Sequence, residues 1–195
     1  MKKNSGYTGS AQNRIFTIPN ILSFFRLCLI PVIVWQYCIA ENFELTGYIL
    51  LLSGLTDIVD GYIARHFHMT SDLGKVLDPI ADKLTQGTVL FCLLTRFHLM
   101  IVPLVLMLMK ELYMGVSGFL VIQRTGHVLG ANWHGKVATC LLYAMMILHV
   151  VWHDIPALVS NITIAVCVLM MALSLLLYGV RNTRALKGSN LNEER

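Results

Sequence analysis

The sequence predicts an all-α polytopic membrane protein, and three observations support this fold class. Hydrophobic residues make up 56% of the 195 residues and charged residues only 13%, whereas a soluble domain usually has about 25% charged residues. Long apolar segments recur along the chain, each near the ~20 residues that a spanning helix requires. Lipid-exposed strands cannot replace these helices, because each unpaired backbone group in hydrocarbon costs several kcal/mol.

Six apolar segments are recognisable, and each predicts one transmembrane helix. They cover residues 18–39, 45–66, 71–95, 99–123, 133–153 and 155–178. The expected organisation is a cytoplasmic N-terminal segment at residues 1–17, one six-helix domain at residues 18–187, and a polar, frayed C-terminal tail at residues 188–195.

The positions of the basic residues predict the orientation of these helices. Lys and Arg gather at the N-terminus, between segments two and three, between segments four and five, and at the C-terminus. The connections on the other side are poor in basic residues, and the first of them has Glu41 and Glu44 instead. The positive-inside rule therefore predicts an integral protein of the cell membrane with both termini in the cytoplasm.

Four aspartates in the second and third segments form an unusual pattern for a membrane helix. Asp57 and Asp60 are three residues apart and share one helix face. Asp78 and Asp82 are four residues apart and follow Gly74 on one face of the next helix. The short connection predicts that the two helices are antiparallel neighbours, so the four carboxylates would converge at the cytoplasmic end.

Carboxylates inside a membrane are costly, so such a cluster indicates a functional site. Oxygen ligands without His or Cys favour hard cations, and we expect Mg²⁺ or Mn²⁺, with two ions in the site. Two such ions can stabilise the attacking and leaving oxygens of a phosphoryl transfer. Gly61 and Gly74 would let a ligand approach the backbone closely, while Arg65 and Lys75 offer positive charge to a phosphate.

Other interpretations of the acids fit the sequence less well. A single acid often marks a hydrated helix end, but four acids on matching helix faces with interleaved glycines disfavour that explanation. Transporters tend to build their sites from broken helices in two repeated halves, and this chain has no internal repeat. The net charge of +4 bears on topology and anionic lipids, and we expect no nucleic acid partner.

The spacing D-x2-D-G-x2-A-R-x8-G-x3-D-x3-D, from Asp57 to Asp82, resembles the signature of the CDP-alcohol phosphatidyltransferases. The resemblance implies that an alcohol attacks the lipid-side phosphate of a CDP-linked lipid, usually CDP-diacylglycerol, and that CMP leaves. It further implies that Asp57, Asp60 and Asp78 bind metal, while Asp82 binds the second metal and acts as the base. The residues implied to line the CDP site are Gly61, Ala64, Arg65 and Gly74.

The identity of the alcohol is less clearly indicated. Residues 18–26 are similar to phosphatidylglycerophosphate synthases and to cardiolipin synthases, so glycerol-3-phosphate is the first candidate and phosphatidylglycerol the second. Lys110 followed by Glu111 replaces the Arg-Glu pair usual in phosphatidylglycerophosphate synthases, and Gly118 stands where they have a second Arg. These departures count against glycerol-3-phosphate as the acceptor and leave phosphatidylglycerol as the alternative. The candidate acceptor-binding residues are Lys110, Lys136, Arg181 and Arg184, and the last two have a second interpretation as anchors at the membrane surface.

Several further residues have two interpretations or a structural one. Arg26 either snorkels to the membrane surface or faces the site, and residues 141–144 are similar to a stretch of bacterial cardiolipin synthases. The seven histidines have no metal-ligand spacing and are predicted to lie at the membrane interface. The five cysteines are predicted to be small buried hydrophobes without disulfide or zinc roles. The resemblance also leaves a homodimer open.

Overall fold

A computed structural model describes residues 17–66, 72–125, 133–152 and 154–193 of the chain. The described residues form helices and turns only, which confirms the all-α prediction. The helices are α1 (Ile18–Cys38), α2 (Phe43–His66), α3 (Asp72–Leu94), α4 (Ile101–Thr125), α5 (Trp133–Val151) and α6 (Ala157–Glu193), and a 3₁₀ turn at His98–Met100 leads into α4.

Local capping explains where the first two helices begin. The Thr17 hydroxyl accepts a hydrogen bond from the Asn20 amide at 3.4 Å, and Pro19 lies in the first turn of α1, where its missing N–H costs little. The Asn42 side chain accepts from the Leu45 amide at 3.0 Å and caps α2 in the same way. The turn between these helices contains Glu41 at a φ of 51°.

The six predicted segments agree with the six helices to within a few residues except at the C-terminus. The predicted polar tail begins at residue 188, whereas α6 continues to Glu193, so the described part of that tail is helical. Residues 179–193 contain no proline and several good helix formers, including Leu and Lys. Apolar patterning predicts where lipid contact ends, whereas the helix continues for as long as its backbone hydrogen bonds persist.

Four of the helices are long and apolar enough to cross a membrane: Asn20–Cys38 within α1, His98–Val121 through α4, Trp133–Val151 in α5 and Ala157–Thr183 within α6. The helices α2 and α3 have similar lengths of 24 and 23 residues. Their acidic and basic residues lower the mean hydropathy. Large apolar side chains lie exposed on the outer faces, such as Leu112 on α4 and Leu158 on α6, as expected for a protein that contacts lipid.

The packing of α1 differs from the sequence prediction. We expected α2 and α3 to be direct neighbours, but in the described residues α1 packs extensively against both of them. The other large contacts are α4 with α6, α5 with α6 and α2 with α5. Leu50, Leu90, Leu93, Met146 and Met171 form part of the apolar core that these helices enclose. A side chain on α1 can therefore reach acids on both α2 and α3.

One end of the bundle, which we call the turn end, contains residues 39–42, 95–97, 152 and 154–156. There Arg96 Nη2 lies 3.1 Å from Asp154 Oδ1, and its guanidinium carbon lies 5.4 Å from the centre of the Phe43 ring. His149 is buried nearby, and its ring nitrogens lie 2.8 Å from Met145 O and 3.0 Å from Ser160 Oγ.

Two of the residue-type predictions need correction. His134 and His149, which were predicted to lie at the membrane interface, are near the two ends of α5 and are buried between helices. All five cysteines are free, as predicted, but only Cys92 and Cys167 are buried. Cys28, Cys38 and Cys140 are exposed on the outer surface of the helices.

Gly135 allows α5 and α6 to approach closely. A Cβ atom at this position would lie 2.5 Å from Tyr178 Oη and 3.1 Å from Tyr178 Cε2. We expect Gly135→Ala to lower the free energy of unfolding in detergent by about 1–3 kcal/mol, because the helices must separate to accommodate the methyl group. Gly115→Ala is the matched control, since a Cβ there meets nothing within 4 Å. Equal stability of the two variants would contradict this account of the interface.

Candidate active site

Arg26 of α1 connects two of the predicted metal-binding aspartates. Its Nη1 atom lies 2.7 Å from Asp57 Oδ1, and its Nη2 atom lies 3.5 Å from Asp78 Oδ1. Ser23, one turn earlier on α1, donates a hydrogen bond to Asp78 Oδ1 at 3.2 Å. The sequence left open whether Arg26 snorkels or faces the site, and the structure shows that it faces the site.

The electrostatics of this contact explain why the Arg26 guanidinium lies among carboxylates. The Arg26 side chain is 0% exposed, and a buried guanidinium requires carboxylate partners to offset its lost hydration. Asp57 in turn lies close enough to Asp78 and Asp82 for their negative charges to act on it. Arg26 therefore reduces the repulsion between carboxylates that arrive from different helices.

Asp82 has a separate set of partners on the other side of the acidic cluster. Its Oδ1 atom accepts a hydrogen bond from Tyr143 Oη of α5 at 2.6 Å, and its Oδ2 atom accepts one from Gln86 Nε2 at 2.9 Å. Lys83 Nζ lies 3.6 Å from Asp82 Oδ2. Both oxygens of the predicted base are thus held by donors from α3 and α5.

Lys83 also connects this carboxylate to α4. Its Nζ atom lies 3.1 Å from Glu111 Oε1, so one lysine lies between two acids of different helices. Lys110, the residue before Glu111, is buried with 6% exposure. Its charge lies within electrostatic reach of Asp82, Lys83 and Glu111. The Lys110-Glu111 pair is therefore part of the same charged network as Asp82.

The wall formed by α5 and α6 is also polar. His134 Nδ1 lies 3.2 Å from Ser174 Oγ, and the imidazole packs edge-on against the Tyr178 ring with the two centres 4.6 Å apart. The guanidinium carbon of Arg181 lies 4.9 Å from the centre of the same ring. The charges of Lys110 and Arg181 both act on His134, so basic groups from three helices lie near one another.

The structure brings together some of the predicted site residues. Asp57, Asp78 and Asp82 share one electrostatic cluster, while Lys110 and Arg181 both lie near His134. Gly74 lies on α3, and Lys136 is exposed at the start of α5. The side chains of Asp60, Gly61, Ala64, Arg65 and Arg184 lie outside the described residues, although all five positions are on α2 or α6.

Sequence reasoning missed four contacting residues: Ser23, Lys83, Gln86 and Tyr143. Gln86 could have been found, because it lies one helical turn after Asp82 on the same face. Ser23 could have been found in the same way from its spacing to Arg26. Tyr143 is 61 residues from Asp82 and lies on another helix, so no local spacing indicates the contact.

The described acids fit a hard divalent cation in their chemistry. Arg26 and Ser23 contact the Oδ1 atoms of Asp57 and Asp78, and the two aspartate side chains remain 37% and 40% exposed. Oxygen donors of this kind are the ligands that Mg²⁺ prefers. Among the described side chains, which do not include that of Asp60, no three His, Cys, Asp or Glu residues lie together at metal-binding distance.

Residues 16–179 match the model of the CDP-alcohol phosphatidyltransferase family. The chain belongs to this family. It is 35% identical over 135 residues to a CDP-diacylglycerol–glycerol-3-phosphate 3-phosphatidyltransferase of Rickettsia felis, a match that covers 67% of this chain and 74% of that protein. The enzyme of the same name from Bacillus subtilis is 29% identical over 196 residues, with 90% of this chain and 100% of that protein covered.

A second activity also occurs among the relatives of this chain in the family. The human cardiolipin synthase (CMP-forming) is 32% identical over 173 residues, which covers 86% of this chain. The same match covers 53% of the human protein, so this chain spans about half of the length of that relative. The family is therefore established, and the relatives of this chain include both glycerol-3-phosphate 3-phosphatidyltransferases and cardiolipin synthases.

Removing the Arg26 charge tests its role between the two aspartates. We expect Arg26→Gln to lower the free energy of unfolding, measured in detergent with EDTA. The loss stays below the roughly 3–5 kcal/mol of a fully buried pair, because Asp57 and Asp78 keep some solvent. Arg96→Gln removes the same charge from the exposed Asp154 pair and should cost less than about 1 kcal/mol. Equal losses in both variants would show that Arg26 does not stabilise the cluster.

Proposed function

We propose that this protein transfers a phosphatidyl group from CDP-diacylglycerol to glycerol-3-phosphate, forming phosphatidylglycerophosphate and releasing CMP. The observation that carries this proposal is the acidic cluster formed by Asp57, Asp78 and Asp82. Beside it lie the basic side chains of Lys110, His134 and Arg181, which we call the basic wall. The relatives named for this reaction, from Rickettsia felis and Bacillus subtilis, support the same acceptor. The protein would thus act in phospholipid biosynthesis.

The acids would hold the metal that the reaction needs. In this proposal Asp57, Asp60 and Asp78 bind one divalent cation, Mg²⁺ or Mn²⁺, and Asp82 takes part in binding a second. Bound ions of this kind neutralise charge on a pyrophosphate and on its leaving group. Gly61, Ala64, Arg65 and Gly74 would contact the CDP part of the donor, and small residues there allow its close approach to the backbone.

Asp82 is the proposed general base. It would take the proton from the acceptor hydroxyl as that oxygen bonds to the lipid-side phosphorus of CDP-diacylglycerol. The bond between this phosphorus and the bridging oxygen of the pyrophosphate breaks, and CMP leaves with the bonding electrons. A carboxylate held on both oxygens, as Asp82 is by Tyr143 and Gln86, suits this role because a base must keep its geometry towards the hydroxyl.

The basic wall would bind the phosphate of the acceptor. The charges of Lys110 on α4 and Arg181 on α6 both act on His134 of α5. Lys136 lies on α5, two residues after His134, and Arg184 lies on α6, three residues after Arg181. A phosphate ester needs such cations when its surroundings are partly apolar. Lys110 supplies a point charge in place of the bidentate Arg, which makes a single ionic contact the expected mode of binding.

Phosphatidylglycerol is the second candidate acceptor, and the product would then be cardiolipin. The similarity to human cardiolipin synthase favours it, as does Gly118, where a Cβ would meet nothing within 4 Å. Gly118 has no side chain at the position where phosphatidylglycerophosphate synthases have a second Arg, so it supplies no charge for glycerol-3-phosphate. Glycerol-3-phosphate carries a phosphate monoester and phosphatidylglycerol carries a phosphate diester, so the negative charge of either acceptor fits the basic wall.

The proposed arrangement in the membrane follows from charge and helix length. All six helices would span the cell membrane, with α2 and α3 crossing alongside the four more apolar ones. Both termini and the end that carries Asp57 and Asp78 would face the cytoplasm, where the positive-inside rule puts the basic connections. A homodimer is compatible with this arrangement, and gel filtration with light scattering would test it.

The acceptor can be identified by offering the alcohols separately. Purified protein in detergent receives Mg²⁺ and CDP-diacylglycerol, and CMP release is measured with glycerol-3-phosphate or with phosphatidylglycerol. We expect release with glycerol-3-phosphate and little with phosphatidylglycerol. Release with phosphatidylglycerol alone would replace the first candidate by the second, and no release with either would contradict the proposed transfer. EDTA in place of Mg²⁺ should abolish the activity.

The role of Asp82 can be separated from its structural contacts. Asp82→Asn keeps the side-chain volume, and Tyr143 can still accept a hydrogen bond from the new amide. We expect CMP release to fall by roughly 10²–10⁴-fold, the usual contribution of a general base, while the melting temperature changes little. Asp154→Asn at the turn end is the control and should keep full activity. Wild-type turnover in Asp82→Asn would exclude Asp82 as the base.

A further inference from the structure

Tyr143 makes a short hydrogen bond to the acidic cluster. Its hydroxyl donates to Asp82 Oδ1 at 2.6 Å, a length typical of a bond between a neutral hydroxyl and a charged carboxylate. The donor comes from α5 and the acceptor from α3, and these helices share a smaller interface than α1 shares with α3. The contact therefore ties Asp82 to a helix with which α3 has few other connections.

The two hydrogen bonds to Asp82 together fix its plane. A carboxylate held through one oxygen can still rotate about its Cβ–Cγ bond, because that torsion is broad. Tyr143 holds Oδ1 and Gln86 holds Oδ2, so rotation would break one of the two bonds. The carboxylate is thereby held in one orientation before any substrate arrives.

The orientation of the Gln86 amide follows from the same contact. Its Nε2 atom donates to Asp82, while its buried Oε1 atom has no hydrogen-bond partner among the described residues. A flipped amide would turn Oε1 towards a carboxylate oxygen and create a repulsive contact. An unpartnered buried oxygen costs stability. The Gln86 amide nevertheless keeps its Nε2 atom towards Asp82.

We propose that Tyr143 is a positioning residue that orients the Asp82 carboxylate for proton transfer and for metal binding. This proposal rests on the proposed function in its catalytic part, since it requires Asp82 to be the base. Tyr143 acts through its hydrogen bond and need not contact the substrate. Misplacement of a reacting group by about 1 Å can cost about 10²-fold in rate, so the loss of this bond should be visible in turnover.

The first test compares two tyrosine-to-phenylalanine variants of the full chain in detergent. We expect Tyr143→Phe to lower kcat for CMP release by roughly ten- to a hundredfold, with the KM for CDP-diacylglycerol little changed. Tyr113→Phe on α4 is the matched control, because it removes the same hydroxyl from a tyrosine that faces Gly179 of α6. Equal kcat values for the two variants would overturn the proposal.

The second test measures binding of Mn²⁺ without substrate, by electron paramagnetic resonance titration. Tyr143→Phe should weaken the affinity for Mn²⁺ in the otherwise unchanged protein and should have no further effect in the Asp82→Asn protein. A purely structural role would weaken binding in both backgrounds, and that result would overturn the proposal. If Tyr143→Phe does not purify as a folded protein, Tyr143→Met, which also removes the hydroxyl but keeps a flexible apolar side chain, replaces it in both tests.

The two tests distinguish failure of this inference from failure of the proposed function. If the wild-type protein releases no CMP with either acceptor, the proposed reaction is wrong and the Mn²⁺ titration alone decides the role of Tyr143. If the wild-type protein is active but Tyr143→Phe matches Tyr113→Phe in kcat and in Mn²⁺ affinity, the proposed reaction stands and the positioning role is wrong.

Discussion

The charge of Arg26 determines how the acidic residues can share one site. A membrane helix bundle offers little water to separate like charges, so carboxylates from α2 and α3 would repel each other and push the helices apart. Arg26 lies between Asp57 and Asp78, and α1 packs against both helices that carry them. The position of the first helix between the second and the third is thus an electrostatic requirement as well as a packing result.

The close contact of α5 with α6 fixes the other wall of the candidate site. Because Gly135 has no side chain, Tyr178 can pack against the α5 backbone, and its ring then lies between His134 and Arg181. An aromatic ring can interact favourably with a guanidinium over its face, which limits the directions in which Arg181 can point. The basic wall therefore depends on a small residue in one helix and a rigid ring in the next.

The sequence predicted the helices well because lipid imposes a strong length and composition rule on each of them. It also predicted the shared faces of Asp78 and Asp82, since spacing along one helix determines them. It did not predict that α1 packs against both α2 and α3, or that Tyr143 reaches Asp82. Both are contacts between helices distant in the chain, and they depend on packing that a single sequence does not encode in any local spacing. The continuation of α6 to Glu193 was missed because hydropathy reports contact with lipid.

The two sets of partners divide the acidic cluster into parts with different electrostatic conditions. Asp57 and Asp78 face the positive charge of Arg26, which offsets part of the repulsion between the two carboxylates. Asp82 is contacted mainly by the neutral groups of Tyr143 and Gln86, with Lys83 farther away at 3.6 Å. A base must be able to accept a proton during the reaction, and a carboxylate held in a strong ion pair accepts one less readily. The hydrogen bonds of Asp82 to two neutral side chains are thus the feature of the cluster that supports the proposed role of Asp82 as a base.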